Sequence, residues 1–125
     1  MLEAYSLDVT VPADTAIPFN NVTIQKGCTA IHSAPNTIQL NKKGVYMISC
    51  DGSSATATTI QLYKDGVAQS QAQGTGTTPG FVTLVQVDKD NSNCCCSSPT
   101  LLQILNAGTA EATFTNINVC VTKVC

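Results

Sequence analysis

The stretch Thr58–Gly66 reads TTIQLYKDG, and Lys43–Ser49 upstream of it reads KGVYMIS. In the first, Ile60 and Leu62 alternate with Gln61 and Tyr63. A period of two marks a strand with one face on a core and one in water. Asp65-Gly66 follows, and Asp-Gly favours the positive φ that a tight hairpin turn requires. The second stretch breaks the alternation, because Val45-Tyr46-Met47-Ile48 is apolar on both parities. So are Phe81–Val85, Leu101–Leu105 and Val119-Cys120-Val121. Such strands predict a sheet that packs on its own core with one face and on a partner with the other, as in obligate oligomers.

Outward from these stretches the chain keeps the same chemistry. Apolar residues do not recur at three and four, while Thr, Val, Ile, Asn and Gly are abundant, which is strand and turn composition. Strands are predicted near Tyr5–Val11, Ile17–Gln25, Thr29–Ser33, Thr37–Asn41, Gly44–Asp51, Thr58–Lys64, Val67–Gln73, Gly80–Asp88, Thr100–Asn106 and Ala112–Lys123. Short strands at this spacing predict an all-β sandwich or barrel. Turns are predicted at Asn41–Gly44 and Asn106–Gly108, and Gln73–Gly80, QGTGTTPG, reads as a flexible loop. Residues 1–125 form one domain, a length that supports one core and not two.

The order of motifs resembles a known family. Ala16–Asn21, AIPFNN, then Lys43–Ser49, then Ile60–Gly66 are similar to the C1q/TNF-like jelly roll in its bacterial and phage branch, which includes the C-terminal domain of the exosporium collagen-like glycoprotein. Leu101–Asn106 and Ala112–Val124 match its last two strands in order. The resemblance implies a ten-stranded jelly-roll sandwich that forms a tight homotrimer, with a binding or structural role at an exposed surface. On that basis Val45, Tyr46, Met47, Phe81, Leu84, Val119 and Val121 are candidates for the trimer interface, and Gln73, Thr75, Thr77 and Thr78 for a ligand-touching loop. The family's Gly-Asp before its penultimate strand is missing, and its aromatics near the carboxyl terminus are reduced to Phe114, so no calcium site carries over.

Composition removes several functions. Charged residues are 11% of the chain and the net charge is -2. The six basic residues are all Lys, and they are scattered along the chain. Nucleic-acid binding normally shows a basic patch containing Arg, so it is set aside. No apolar run reaches the length of a membrane span. The start, MLEAYSLDVTVPAD, lacks the pattern of a signal peptide. Seven cysteines are many for a reduced cytosolic domain. Two readings fit: a virion component released by lysis, or a protein whose cysteines are reduced thiols.

Nothing in the sequence points to catalysis. His32, the one histidine, would need a thiol beside it, and Cys28 lies four residues earlier along a strand. Asp88 and Asp90 flank a Lys in a loop, the pattern of a solvated turn. No glycine-rich phosphate loop and no Cys-x2-Cys pair occur. The protein is therefore expected to be a non-enzyme without cofactor or metal site. Asn21-Val22-Thr23 has the form of a glycosylation sequon, which has meaning only in a eukaryotic secretory route.

The triplet Cys94-Cys95-Cys96 lies in a polar loop. Strand reversal in a jelly roll puts that loop, Cys125 and the Asp65-Gly66 turn at one end of the domain. Four fates stay open: a disulfide between a triplet member and Cys125, a soft metal bound by thiolates, a strained vicinal bond, or free thiols. Cys50 and Cys120 fall in strands that the resemblance places side by side, so they are a second disulfide candidate or plain packing residues.

The functional expectation is a non-enzymatic, trimeric structural or attachment protein of a bacteriophage particle: a head decoration, head fibre or tail-tip component. It would reside on the virion and contact other virion proteins or host-surface carbohydrate. The alternatives are a bacterial cell-surface or spore-coat protein of the same fold, and a soluble ligand-binding module of C1q/TNF type.

Overall fold

A computed structural model of the chain describes residues 1–27, 29–88 and 99–125. Its strands are β1 (Leu2–Val11), β2 (Thr15–Ala16), β3 (Asn21–Gln25), β4 (Ala30–Ala34), β5 (Thr37–Leu40), β6 (Gly44–Ser54), β7 (Thr58–Lys64), β8 (Val67–Gly76), β9 (Gly80–Val87), β10 (Thr100–Asn106) and β11 (Ala112–Lys123). They form two antiparallel sheets. Sheet A runs β3-β1-β11-β6-β9 and sheet B runs β4-β5-β10-β7-β8, with β2 added to β10. Among the described residues there is no helix long and apolar enough to cross a membrane.

The sandwich core comes from the inward parity of each long strand. Tyr46, Ile48 and Cys50 of β6, Ile117, Val119 and Val121 of β11, Ile60 and Leu62 of β7, and Leu102 and Ile104 of β10 are all buried. Burying such side chains contributes about 1.5–3 kcal/mol each relative to leaving them exposed. Strand β9 alternates without a break: Phe81, Thr83, Val85 and Val87 point in, and Val82, Leu84 and Gln86 point out.

Local chemistry sets the turns. Asp65 (φ 51°) and Gly66 (φ 81°) both take positive φ, as the Asp-Gly pair predicts for a two-residue hairpin. Asp65 Oδ1 also accepts the Leu101 N–H at 2.9 Å, which ties this turn to β10. Gly44 (φ 148°) starts β6 with the Cys125 carbonyl where a side chain would stand.

β1 begins three residues before the predicted Tyr5 and β6 runs three residues past the predicted Asp51, and two further segments change in kind. Of Ile17–Gln25 only Asn21–Gln25 is strand, as β3; residues 17–20 are an extended connector, and a separate short β2 precedes them. Pro18 has no N–H for a ladder, yet Ile17 and Phe19 are buried and donate to the carbonyls of Ile104 (2.7 Å) and Pro35 (2.6 Å). The separate β2 raises the strand count to eleven. In the predicted loop, Gln73–Gly76 instead continues β8, so only residues 77–79 turn. Gly74 permits this, because its bare Cα packs directly on the backbone of Gly80.

The two ends of the sandwich carry different groups. One, the carboxyl end, holds Met1, the Lys42-Lys43 turn, the Asp65-Gly66 hairpin, Val87 and Cys125. This follows from the pairs Leu2↔Val121, Lys123↔Tyr46, Gly44↔Val87 and Leu102↔Lys64. The other end is organised by Asn106, which is fully buried. Its Nδ2 donates to the carbonyls of Val11 (2.9 Å) and Ala110 (3.1 Å). Its Oδ1 accepts from Thr58 Oγ1 (2.6 Å) and from the Gly108 N–H (3.2 Å).

Candidate interaction surface

The outer face of sheet A is where the structure departs from a simple wet face. Met47 of β6 is paired with Leu84 of β9, and Ser49 with Val82. Met47 is 39% exposed, Leu84 59% and Val82 67%, so the three form a contiguous apolar patch on two neighbouring strands. Cys120 of β11, half-buried, adjoins it through its pairing with Ser49. Leu7 of β1 is exposed on the same face. Above Val82 the face dips, because Gly80 and Gly52 put no side chain beside Asp51. Ser49, Asn118 and Thr78 complete the rim of that dip. The outer face of sheet B is more polar at its centre, with Gln39, Gln61, Gln103, Thr59 and Thr75.

The interface candidates divide by parity. Met47 and Leu84 point outward, and Val45 is half-buried with its carbonyl bonded to the Val124 N–H at 2.8 Å. Tyr46, Phe81, Val119 and Val121 point inward and are buried in the protomer's own core, so they have no free surface to offer another chain. A strand gives each face only every second residue, and the sequence reading took both parities of one run. It also missed Val82, which shares its parity with Leu84 in FVTLV and could have been found from that alternation.

The cysteines divide in the same way. Cys50 pairs with Val119, while Cys120 pairs with Ser49, one residue along. Cys50 therefore points into the core and Cys120 out of it, and no disulfide joins them; both are free thiols. Burial, with the Asp51 charge adding to it, pushes the Cys50 thiol far above its ordinary value, so it stays protonated and inert. Cys125 is free and exposed at the carboxyl end. Asp88 and Pro99, which flank the segment bearing Cys94, Cys95 and Cys96, adjoin strand ends at that same end. The triplet itself, like Cys28 and Asp90, lies outside the described residues.

The ligand-loop candidates are not one loop. Gln73 and Thr75 are exposed on β8, where Thr75 Oγ1 is 2.9 Å from Thr59 Oγ1. Thr77 and Thr78 are exposed in the turn, and the Thr77 carbonyl accepts the Ser54 N–H at 2.7 Å. His32 is half-buried on β4 with its Nε2 3.3 Å from the Pro35 carbonyl. Among the described residues no group of three His, Cys, Asp or Glu side chains could hold a metal ion.

The two-sheet order defines the class of the fold, and solved structures match it over nearly the whole chain. The globular domain of zebrafish complement 1qA superposes with a TM-score of 0.65 at 9% identity, covering 95% of this chain and 94% of that one. The Eiger TNF of S. frugiperda gives 0.62 at 8% identity, covering 99% and 92%. Murine APRIL gives 0.60 at 8% identity, covering 98% of each. The chain thus has a jelly-roll fold of the C1q/TNF type. At such identities the likeness concerns the fold alone. No protein-family model and no curated protein sequence matches the chain.

Proposed function

We propose that the chain is a non-enzymatic module that works as a homotrimer, with the outer face of sheet A turned toward its own copies. The observation that carries this is the exposed patch of Met47, Val82 and Leu84 on adjacent strands. Homologues of C1q/TNF type are homotrimers, which supports the same reading. In such an assembly the patch is covered, and the apolar parity that looked surplus in the sequence gains a partner. The finer reading is a structural or attachment component on the outside of a bacteriophage particle. It is supported by the resemblance of AIPFNN, KGVYMIS and IQLYKDG to the bacterial and phage branch. Contacts with other virion proteins or with host-surface carbohydrate belong to this proposal.

Two measurements test it. Size-exclusion chromatography with light scattering should return three times the 13.0 kDa chain mass at micromolar concentration; a monomer refutes the trimer. Antibodies against the chain should label intact, gradient-purified phage particles. Labelling confined to spores or bacterial envelopes would replace the particle by the surface-protein reading.

A further inference from the structure

On the outer face of sheet A the apolar patch ends at a single charge. Asp51 stands two residues beyond Ser49 on β6, next to the Ser49–Val82 pair that borders the patch. Its own partners in the ladder are Asn118 of β11 and Gly80 of β9. A Cβ on Gly80 would lie 3.1 Å from the Asp51 Cβ, so that glycine leaves the carboxylate its room in the dip. Asp51 is exposed, and it is the only carboxylate or ammonium at an outward position of β6, β9 and β11. Among the described residues its carboxylate has neither a hydrogen bond nor an ion pair.

No base stands close enough to balance it. The titratable groups on the elements around it are Glu3, Tyr5 and Asp8 of β1, the Cys120 thiol of β11 and the buried Cys50 thiol beside it. β9 and the turn at residues 77–79 contribute none. Each of these groups is an acid, and the Glu3 carboxylate already accepts the Thr23 hydroxyl at 3.0 Å. The described lysines stand at the carboxyl end of the sandwich. Lys123, on the adjoining strand, pairs with Tyr46, five residues from Asp51 along β6. At about 3.3 Å per residue that is about 16 Å, beyond the screening length of about 8–10 Å in physiological salt. Its Nζ is also held by Cys125 O at 2.7 Å.

We infer that assembly takes up protons at Asp51, so that acid tightens the trimer and a rise in pH loosens it. The inference rests on the homotrimer proposed above and concerns its regulation. A face that covers Met47, Val82 and Leu84 also covers the next residue pair, Asp51 and Gly80. Each carboxylate then loses water and gains no cation, and threefold symmetry brings three of them onto one closed surface. Desolvation and like charge both favour the neutral carboxyl. That form is a donor as well as an acceptor, and the side-chain carbonyl of Asn118 beside it can accept. The trimer therefore binds more protons than three separate chains do. Each proton taken up changes the association constant tenfold per pH unit, so three give up to about a thousandfold.

Fluorescence-detected sedimentation over a nanomolar to micromolar dilution series reads the concentration at half-assembly. Chelator in every buffer leaves the proton as the only variable cation. For the parent chain that concentration should rise by at least about tenfold between about pH 5 and pH 7.5. Asp51→Ser, which removes the charge, should assemble with less than about twofold change over the same range, and more tightly than the parent at the upper end. Histidine is the other side chain that ordinarily titrates in this window. His32 lies on β4 of sheet B, so His32→Gln should keep the parent's dependence, and so should Glu3→Gln. A trimer whose half-assembly does not move with pH overturns the inference while leaving the trimer in place. So does a dependence that survives Asp51→Ser, or one that disappears in His32→Gln or Glu3→Gln. Parent and Asp51→Ser chains that are monomers at every pH overturn the trimer itself, and the inference with it.

Discussion

Replacing Leu84 by Glu tests the assembly face where its energetic contribution is largest. Leu84 is 59% exposed at the centre of β9, opposite Met47. Burying a whole leucine side chain stabilises by about 1.5–3 kcal/mol, so covering the exposed part of this one contributes about 1–2 kcal/mol per copy. Across three copies the loss is about 3–6 kcal/mol before any charge is counted, and each 1.4 kcal/mol is tenfold in affinity. Three carboxylates forced into a closed apolar face would add several kcal/mol more. Leu84→Glu should therefore run as a monomer at micromolar concentration in light scattering, where the parent is a trimer. The control is Leu101→Glu, which puts the same side chain at an outward strand position, 38% exposed, on sheet B. Any strand-propensity cost is common to both, so the difference in mass isolates the face. A Leu84→Glu protein that stays trimeric while it remains folded refutes the assignment of sheet A, and so does a Leu101→Glu protein that dissociates.

Thiol chemistry gives a second check on that face. In the parent, Cys125 should react quickly with maleimide, Cys50 should react only on unfolding, and Cys120 should be protected until Leu84→Glu releases it; mass spectrometry of the peptides reads all three. The protonated Cys50 thiol also makes stability depend on pH. Its folded value is raised above the ordinary 9.0, so its contribution is complete below pH 9 and is lost as the pH rises above it, by about 1.4 kcal/mol per unit. Urea midpoints should fall more steeply with alkaline pH in the parent than in Cys50→Ala. Asn106→Ala should cost about 3–5 kcal/mol, because it strips two carbonyls of their donor and leaves the buried Thr58 hydroxyl and Gly108 N–H unpaired. Thr58→Val, which removes one of those bonds, should cost about 1–2 kcal/mol by the same denaturation assay.

The sandwich was legible because its signals are local. Alternation in TTIQLYK and the Asp65-Gly66 pair fix a strand and a hairpin whatever the rest of the chain does, and both stand in the structure. Ile17–Gln25 was misread as one strand because Pro18 acts through a missing donor, while the burial of Ile17 and Phe19 keeps the strand-like pattern of apolar residues. Gln73–Gly76 was misread as loop because its glycines look flexible. In space Gly74 is a close approach between β8 and β9, and no local rule distinguishes the two uses.

The candidate sites needed more than local signals. That VYMI, FVTLV and VCV carry too many apolar residues for one wet face is visible in the sequence. Which residue is surplus depends on which parity the sheet turns inward, and a one-residue error exchanges Tyr46 for Met47 and Phe81 for Val82. The two cysteine alternatives stayed open for the same reason, since adjacency of β6 and β11 decides nothing until the register sets Cys50 against Val119. The lysines lie further still from sequence legibility. Lys26, Lys42, Lys64 and Lys123 are well separated along the chain, and only the reversal of each strand returns them to one end. The same topology that brings these lysines to one end also sends Asp14 and Glu111 to the opposite end. Net charge and composition are blind to that division, which exists only once the strands are folded back on one another.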